Sequence, residues 1–311
     1  IKSGANAIKT NTFGANTAVY PDFDSVRDII KAGFKIASNA AGSDCAVFAD
    51  IGPIRSEPAN AQAEYLDIVK VFLEQGAVNF LFETLSHADD IKSAVEYIKS
   101  SVKNSQVIVS FAVSQDGYTA DGEFFLRLFD KAGDFNADYT GLNCVCGPAH
   151  MLELISRCDT SKYKIAAMPN AGYPSVIGGR LVYIDNPGYF AEKLNDIRNL
   201  GVSILGGCCG TTPEHIRAAA ALFDIPAKIS RSFIAPESPV FGKKEQNPEK
   251  KLIAVEIDPP IDTDASFLLD GSRKAKALGA DYITLADSPL ARTRADSFVL
   301  AAKVQREAGI K

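Results

Sequence analysis

Three cysteines carry the chemistry that this sequence announces. Cys208 and Cys209 stand together in Leu205-Gly206-Gly207-Cys208-Cys209-Gly210-Thr211-Thr212-Pro213, after a short apolar run and before a helix start. Cys144 closes Tyr139-Thr140-Gly141-Leu142-Asn143-Cys144, a second run that reads as a strand end. Three thiolates from two strand ends make a metal site with one position open, the feature that separates a catalytic zinc site from a structural one. Thiolate donors select Zn²⁺ among common cellular ions. Zinc that already holds three thiolates is electron-rich and poorly suited to making hydroxide. It suits a fourth thiol, which it keeps ionised at neutral pH although a free thiol titrates near about 8.5. The expected reaction is alkyl transfer to a substrate sulfur, with the thiolate as nucleophile.

Other readings of the same residues stay open. Cysteines often pack as small hydrophobes, which suits Cys45 and Cys158. Cys146 is either an alternative ligand or another packed thiol. Adjacent cysteines can form a vicinal disulfide, and a glycine-rich turn leading into a helix can hold phosphate. A structural zinc or thiol-redox module would use four protein ligands, and the histidine nearest to the cysteine pair, His215, lies inside the following helix. Gly206, Gly207 and Gly210 let the backbone turn sharply enough to aim two consecutive side chains at one point. Thr212 can cap that helix, with Pro213 at its first position and Glu214 favourable to its dipole.

The elements that must position these residues are legible in the alternation of short apolar runs with longer amphipathic segments. Strands are expected at Ala7–Thr12, Cys45–Ile51, Asn79–Glu83, Gln106–Val113, Tyr139–Cys144, Lys164–Met168 and Val202–Gly206. Helices are expected at Phe23–Ala41, Asn60–Gln75, Ala88–Lys103, Gly122–Lys131, Pro148–Arg157, Pro187–Leu200 and Pro213–Leu222. Ile1–Ala5 reads as the end of one more helix. The pattern predicts parallel strands with crossover helices. A (β/α)8 barrel (TIM barrel) lacking its first strand accounts for it, with a doubly wound open sheet as the alternative. The barrel is favoured because glycine, cysteine and polar residues gather at the strands' C-terminal ends. The first domain spans residues 1–226, and a Pro-, Ser- and Lys-containing linker spans 227–250. Residues 251–311 hold two further βα units, with strands at Leu252–Ile257 and Asp281–Ala286 and helices near Ser266–Leu278 and Arg292–Glu307. About sixty residues cannot close a second barrel, which needs about 250, and both chain ends read as truncations.

The 311 residues include 46% apolar and 23% charged side chains, an ordinary globular balance, and a net charge of −5. With no basic run, a nucleic-acid partner is not expected. No eighteen-residue apolar stretch occurs, so no membrane span is expected either. Six cysteines in so long a chain, with no signal peptide in view, point to a reducing cytoplasmic location. The expected partners are small molecules.

The sequence resembles the homocysteine S-methyltransferase family. The matching pieces are Thr10-Asn11-Thr12-Phe13, Gly52-Pro53, Phe82-Glu83-Thr84, Gly141-Leu142-Asn143-Cys144, Pro169-Asn170-Ala171-Gly172 and Gly206-Gly207-Cys208-Cys209-Gly210-Thr211-Thr212-Pro213. They occur in family order over roughly residues 1 to 225. The resemblance implies that Cys144, Cys208 and Cys209 ligate zinc, that homocysteine sulfur is the fourth ligand, and that Glu83 holds the substrate's amino group. Asn11 and Asn170 lie at strand ends as polar lining residues, or else satisfy local turn backbone. The family's Asp-Gly first strand has no counterpart here. The tail resembles the start of methylenetetrahydrofolate reductase through Ala254-Val255-Glu256-Ile257-Asp258-Pro259-Pro260 and Tyr282-Ile283-Thr284-Leu285-Ala286-Asp287. That implies a bifunctional parent protein in which Glu256 is the reductase's acid and FAD binds in the second barrel. Otherwise Glu256 is a carboxylate near a strand end.

Overall fold

The computed structural model describes residues 1–172, 174–177, 180–183, 186–227, 229, 252–262, 264–286 and 295–311. The chain divides into two compact units, Ile1–Pro236 and Glu237–Lys311. In the first, strands and helices alternate as β1 (Ala7–Lys9), α1 (Phe23–Ala41), β2 (Ala46–Ile51), α2 (Pro58–Glu74), β3 (Asn79–Leu85), α3 (Lys92–Ser101), β4 (Gln106–Phe111) and α4 (Phe125–Asp134). They continue as β5 (Tyr139–Asn143), α5 (Pro148–Ser156), β6 (Ile165–Met168), β7 (Pro174–Ile177), β8 (Arg180–Tyr183), α6 (Pro187–Asn199), β9 (Ile204–Leu205) and α7 (Pro213–Phe223). Seven strands form one parallel sheet in the order β1-β2-β3-β4-β5-β6-β9, the order of the chain itself. A doubly wound sheet reverses its strand order at a switch point. This curled sheet does not, and it follows the sequence of a barrel.

Strand periodicity divides the sheet into two faces. Phe80, Phe82, Val107, Val109 and Leu142 face the helices in the main core, together with Ile30, Phe72, Ile98 and Phe129. Leu81, Ile108, Ala166 and Met168 form a second, smaller core on the opposite face, with Phe48, Tyr139 and Ile204 packed against it. The helices bind through matching stripes. In α4, Phe125, Leu128, Phe129 and Ala132 are buried at helical spacing, and Phe125 meets Phe129 edge to face at 5.5 Å. Asp22 caps α1 by accepting from the Ser25 amide at 2.8 Å. Thr212 and His215 form a reciprocal capping box at the start of α7.

Several boundaries differ from expectation. Ile1–Ala5 is a turn rather than a helix, closed by the Gly4 amide on the Ile1 carbonyl with Gly4 at φ +92°. The first strand stops at Lys9 because Asn11 is left-handed and the Thr10 and Thr12 hydroxyls bond each other. Helix α4 starts three residues later than expected, since Tyr118 and Phe124 pair across an antiparallel turn. The strand near residue 202 is confined to Ile204–Leu205. The antiparallel hairpin β7–β8 was not anticipated from the sequence.

The second unit holds β10 (Ala254–Glu256), α8 (Ser266–Ala277), β11 (Tyr282–Thr284) and α9 (Ser297–Glu307). Strands β10 and β11 pair in parallel, and Leu268, Leu269, Leu300 and Val304 belong to this unit's own core. The expected linker 227–250 lies, apart from Ala227 and Ile229, outside the described residues, as do 287–294.

Close strand packing yields a stability prediction. A Cβ on Gly141 would lie 2.4 Å from the Ala166 carbonyl oxygen, whereas one on Gly133 in α4 would meet nothing within 4 Å. Gly141→Ala should therefore cost about 1–3 kcal/mol as β5 is pushed off β6. Gly133→Ala should gain a few tenths to about 1 kcal/mol from reduced chain entropy. Urea unfolding of both variants checks the pair, and equal effects would contradict this packing.

Candidate metal centre

On the face away from the main core, β2 to β5 each carry an apolar residue low down and a polar one further along, two positions later in β2, β3 and β4 and four in β5. Phe48 precedes Asp50, Leu81 precedes Glu83, Ile108 precedes Ser110, and Tyr139 precedes Gly141 and Asn143. Asp50, Glu83, Ser110 and Asn143 are all buried. The period of two thus stacks a polar layer on an apolar floor, with the strand-end loops above it.

The three expected cysteines meet there. Cys144 follows β5, and its amide donates to the Met168 carbonyl at 3.1 Å. The Cys208 amide donates to the Pro169 carbonyl at 2.8 Å, and the Cys209 carbonyl accepts from Ala171 at 2.9 Å, which anchors the Gly-Gly-Cys-Cys turn to the end of β6. Glycine is required at 207, where a Cβ would sit 2.2 Å from Thr211 Oγ1. Cys144 Sγ lies 3.6 Å from Cys209 Sγ, and all three sulfurs lie within 4.8 Å of one another. Tetrahedral zinc with Zn–S bonds of about 2.3 Å places its sulfurs about 3.8 Å apart, so the donor set and spacing fit that ion. Among the described residues no other group of three or more His, Cys, Asp or Glu side chains is so arranged.

Asn143 holds this arrangement from beneath. Its Oδ1 accepts from the Thr84 amide and from Ser110 Oγ, both at 2.8 Å. Its Nδ2 donates to Thr84 Oγ1 at 2.8 Å and lies 3.9 Å from Cys208 Sγ. Around it Thr84, Cys144 and Val145 are left-handed at φ 62°, 59° and 55°, a conformation costing of order 1–3 kcal/mol for a residue with a side chain. The hydrogen bond from the Cys208 thiol is the main cause that lowers Cys144 to about 5, against the opposing effect of burial. The same bond, followed by burial, raises Cys208.

Asn170 is buried, and its Oδ1 accepts from the Cys209 amide at 3.1 Å. It braces the cysteine turn. Asn11 is exposed on its left-handed turn after β1. Cys146 is buried beneath the site, with Sγ 3.3 Å from the Val113 carbonyl, and burial pushes its thiol up to about 11. Cys158 is likewise raised by burial, to about 12. None of the six cysteines is in a disulfide. Glu256 is exposed at the end of β10, in the second unit.

Glu83 is buried with two charged neighbours that the sequence reading did not single out. Lys9 Nζ lies 2.5 Å from Glu83 Oε1 and 3.8 Å from Asp50 Oδ2. Burial, then the charge of Glu83, raises Asp50 to about 8, and Lys9 offsets only part of this. Burial pulls Lys9 down, but Asp50, Glu83 and Cys208 outweigh it and hold its ammonium above the usual range. The overlooked signal is a charged residue at or next to the end of an otherwise apolar run, in Ala7-Ile8-Lys9 and in Val47-Phe48-Ala49-Asp50-Ile51.

Two predictions follow from this geometry. Asn143→Ala leaves every thiol in place yet removes the clasp, so zinc affinity should fall about ten- to a hundredfold in a chelator competition titration. Unchanged affinity would mean that the left-handed turn holds itself. Asp50 is raised in the folded state, so its stabilising contribution is complete below about pH 4 and is lost as pH rises toward about 8. The melting temperature of the wild type should fall across that window, and that of Asp50→Asn should fall less.

Of the described residues, no helix is long and apolar enough to cross a membrane. Over 71% of this chain and 81% of the other, the fold matches the homocysteine methyltransferase MmuM of Escherichia coli in its metallated form, with a TM-score of 0.56 at 16% identity. The apo form of MmuM matches with a TM-score of 0.57 at 20% identity over the same shares. Methionine synthase of Mycobacterium tuberculosis is 31% identical over 294 residues, which is 88% of this chain and 24% of that protein. Methionine synthase of Mycobacterium leprae is 30% identical over 242 residues, 71% of this chain and 20% of that protein. The chain thus spans about a quarter or less of these curated relatives. The homocysteine S-methyltransferase family profile matches residues 1–223, which include all three clustered cysteines. This chain belongs to the homocysteine S-methyltransferase family.

Proposed function

We propose that the protein transfers a methyl group to the sulfur of L-homocysteine, giving methionine, at a zinc site made by Cys144, Cys208 and Cys209. The observation that carries this reading is the convergence of three thiols at the C-terminal edge of the sheet, with no fourth His, Cys, Asp or Glu donor in the group among the described residues. Zinc bound there supplies one open position that takes a substrate thiol and keeps it ionised. The chain's own residues do the rest. Asn143 and Asn170 fix the two cysteine turns, so that no ligand must be ordered at the moment of binding. Glu83, buried on the same face, receives the substrate's ammonium, and the apolar floor of Leu81, Ile108 and Met168 excludes water from beneath.

The same proposal includes the domain reading, with a barrel over 1–226, a linker over 227–250 and the start of a reductase-like barrel over 251–311. The parallel pair β10–β11, with Glu256 at a strand end, is compatible with such a start. Two βα units do not cradle a flavin, so no step through FAD is derived from them. A zinc-bearing methyltransferase feeding on one-carbon units beside a folate reductase is the parent protein this reading describes.

X-ray absorption at the zinc edge tests the site directly. The full-length protein should show three sulfurs and one lighter neighbour, and four sulfurs once L-homocysteine is added. Four sulfurs beforehand, or no zinc after loading, would return the cysteines to structural or redox work. Cys208→Ser and Cys209→Ser should each lose zinc and methyl transfer together. Glu83→Gln should keep zinc and raise the KM for homocysteine about ten- to a hundredfold, as loss of a charge-assisted contact implies.

A further inference from the structure

A site that must accept an ammonium on Glu83 already holds one, the Nζ of Lys9. The two carboxyl groups beside it are nearly sealed, with Asp50 and Glu83 side chains 2% and 4% exposed, whereas the Lys9 side chain is 37% exposed. Lys9 therefore closes the cluster from its open side. Asp50 Oδ1 is buried and has no hydrogen-bond partner among the described residues, an unmet acceptor that is costly to leave so. The cluster adjoins the cysteines: Thr84, the residue after Glu83, donates its amide to Asn143 Oδ1 at 2.8 Å, and Asn143 Nδ2 lies 3.9 Å from Cys208 Sγ.

An α-amino acid thiol carries one ammonium, one carboxylate and the sulfur. Its ammonium can replace Nζ on Glu83 without changing the charge of the cluster, and Asp50 Oδ1 is an acceptor waiting beside it. The displaced Nζ sits on a flexible four-carbon stem and needs a new anion at that same open side. The substrate supplies one. We propose that Lys9 and Asp50 set the specificity of this site for an α-amino acid thiol: Asp50 joins Glu83 in receiving the substrate's ammonium, and Lys9 swings from Glu83 to the substrate's carboxylate.

This inference rests on the methyltransferase reading, and its test separates the two. Calorimetry on the zinc-loaded, full-length protein compares L-homocysteine with aminopropanethiol, which lacks the carboxylate, and mercaptobutanoate, which lacks the ammonium. Wild-type protein should prefer homocysteine over both. Lys9→Met should erase about ten- to a hundredfold of the preference over aminopropanethiol, and Lys9→Arg should retain most of it. Asp50→Asn should reduce the preference over mercaptobutanoate and spare the other ratio. A lysine that merely neutralises two carboxylates would change the affinities of homocysteine and aminopropanethiol in parallel, and unchanged ratios overturn the proposal while leaving the zinc site standing. Failure of the wild type to bind any of the three thiols overturns both readings. A crystal structure of the unaltered protein with homocysteine reads the contact independently of any variant's folding. Nζ on the substrate carboxylate supports the exchange, and Nζ still on Glu83 refutes it.

Discussion

The cluster of three cysteines depends on the chain turning left-handed immediately after β5. Cys144 and Val145 both adopt that conformation, and Val145 is β-branched, which makes it a costly place to do so. The turn lifts the Cys144 sulfur off the line of the strand, toward the turn that follows β9. Asn143 holds it by linking the ends of β3, β4 and β5 through Thr84, Ser110 and its own backbone. A side-chain amide can do this because it both donates and accepts from one rigid plane. An aspartate would lose the donor to Thr84, and a leucine would lose everything. The strain is local, and the bonds that maintain it come from three strands, so the thiols are placed before any metal arrives.

The strands serve two cores at once. Their outward residues bury against helices, and their inward residues build first an apolar layer and then a polar one. Because the side-chain period is two, a one-residue slip of β3 would turn Glu83 into the helices and bring Phe82 into the site. The same packing that specifies register therefore specifies the chemistry. In the polar layer, charge is nearly self-compensated. Asp50 is held to a raised range by burial and by Glu83, and Lys9 meets both carboxyl groups from the open side.

The cysteine constellation and the alternation of strand and helix were legible in the sequence because each rests on local spacing. Glycines at 206, 207 and 210 and the cap at Thr212 announce a sharp turn, and apolar periodicity announces the elements. Strand ends were less legible. Asn11 ended β1 early through a left-handed backbone, and the Tyr118–Phe124 turn delayed α4, both decided by side-chain hydrogen bonding and glycine placement rather than by apolar pattern. The roles of Asn143, Lys9 and Asp50 depend on which strands are neighbours, and no short-range pattern carries that information. Asn170 was legible as a strand-end polar residue, but its bond to the Cys209 amide emerges only when β6 and β9 lie side by side.

Curvature is what joins the acidic cluster to the three cysteines. Lys9 ends β1, at one edge of the sheet, and Cys208 follows β9, at the other. With neighbouring strands about 4.8 Å apart, six intervals in a flat sheet would separate those edges by about 29 Å. Yet the segment before β1 touches α7, which follows β9: Arg217 donates to Ser3 Oγ at 3.3 Å, and a Cβ on Gly4 would lie 2.7 Å from the Ala220 Cβ. The sheet must therefore curl until its first and last strands face each other across the concave side. That closure places a group able to take an ammonium opposite one able to take a thiol, and it sets the length of any molecule that can satisfy both.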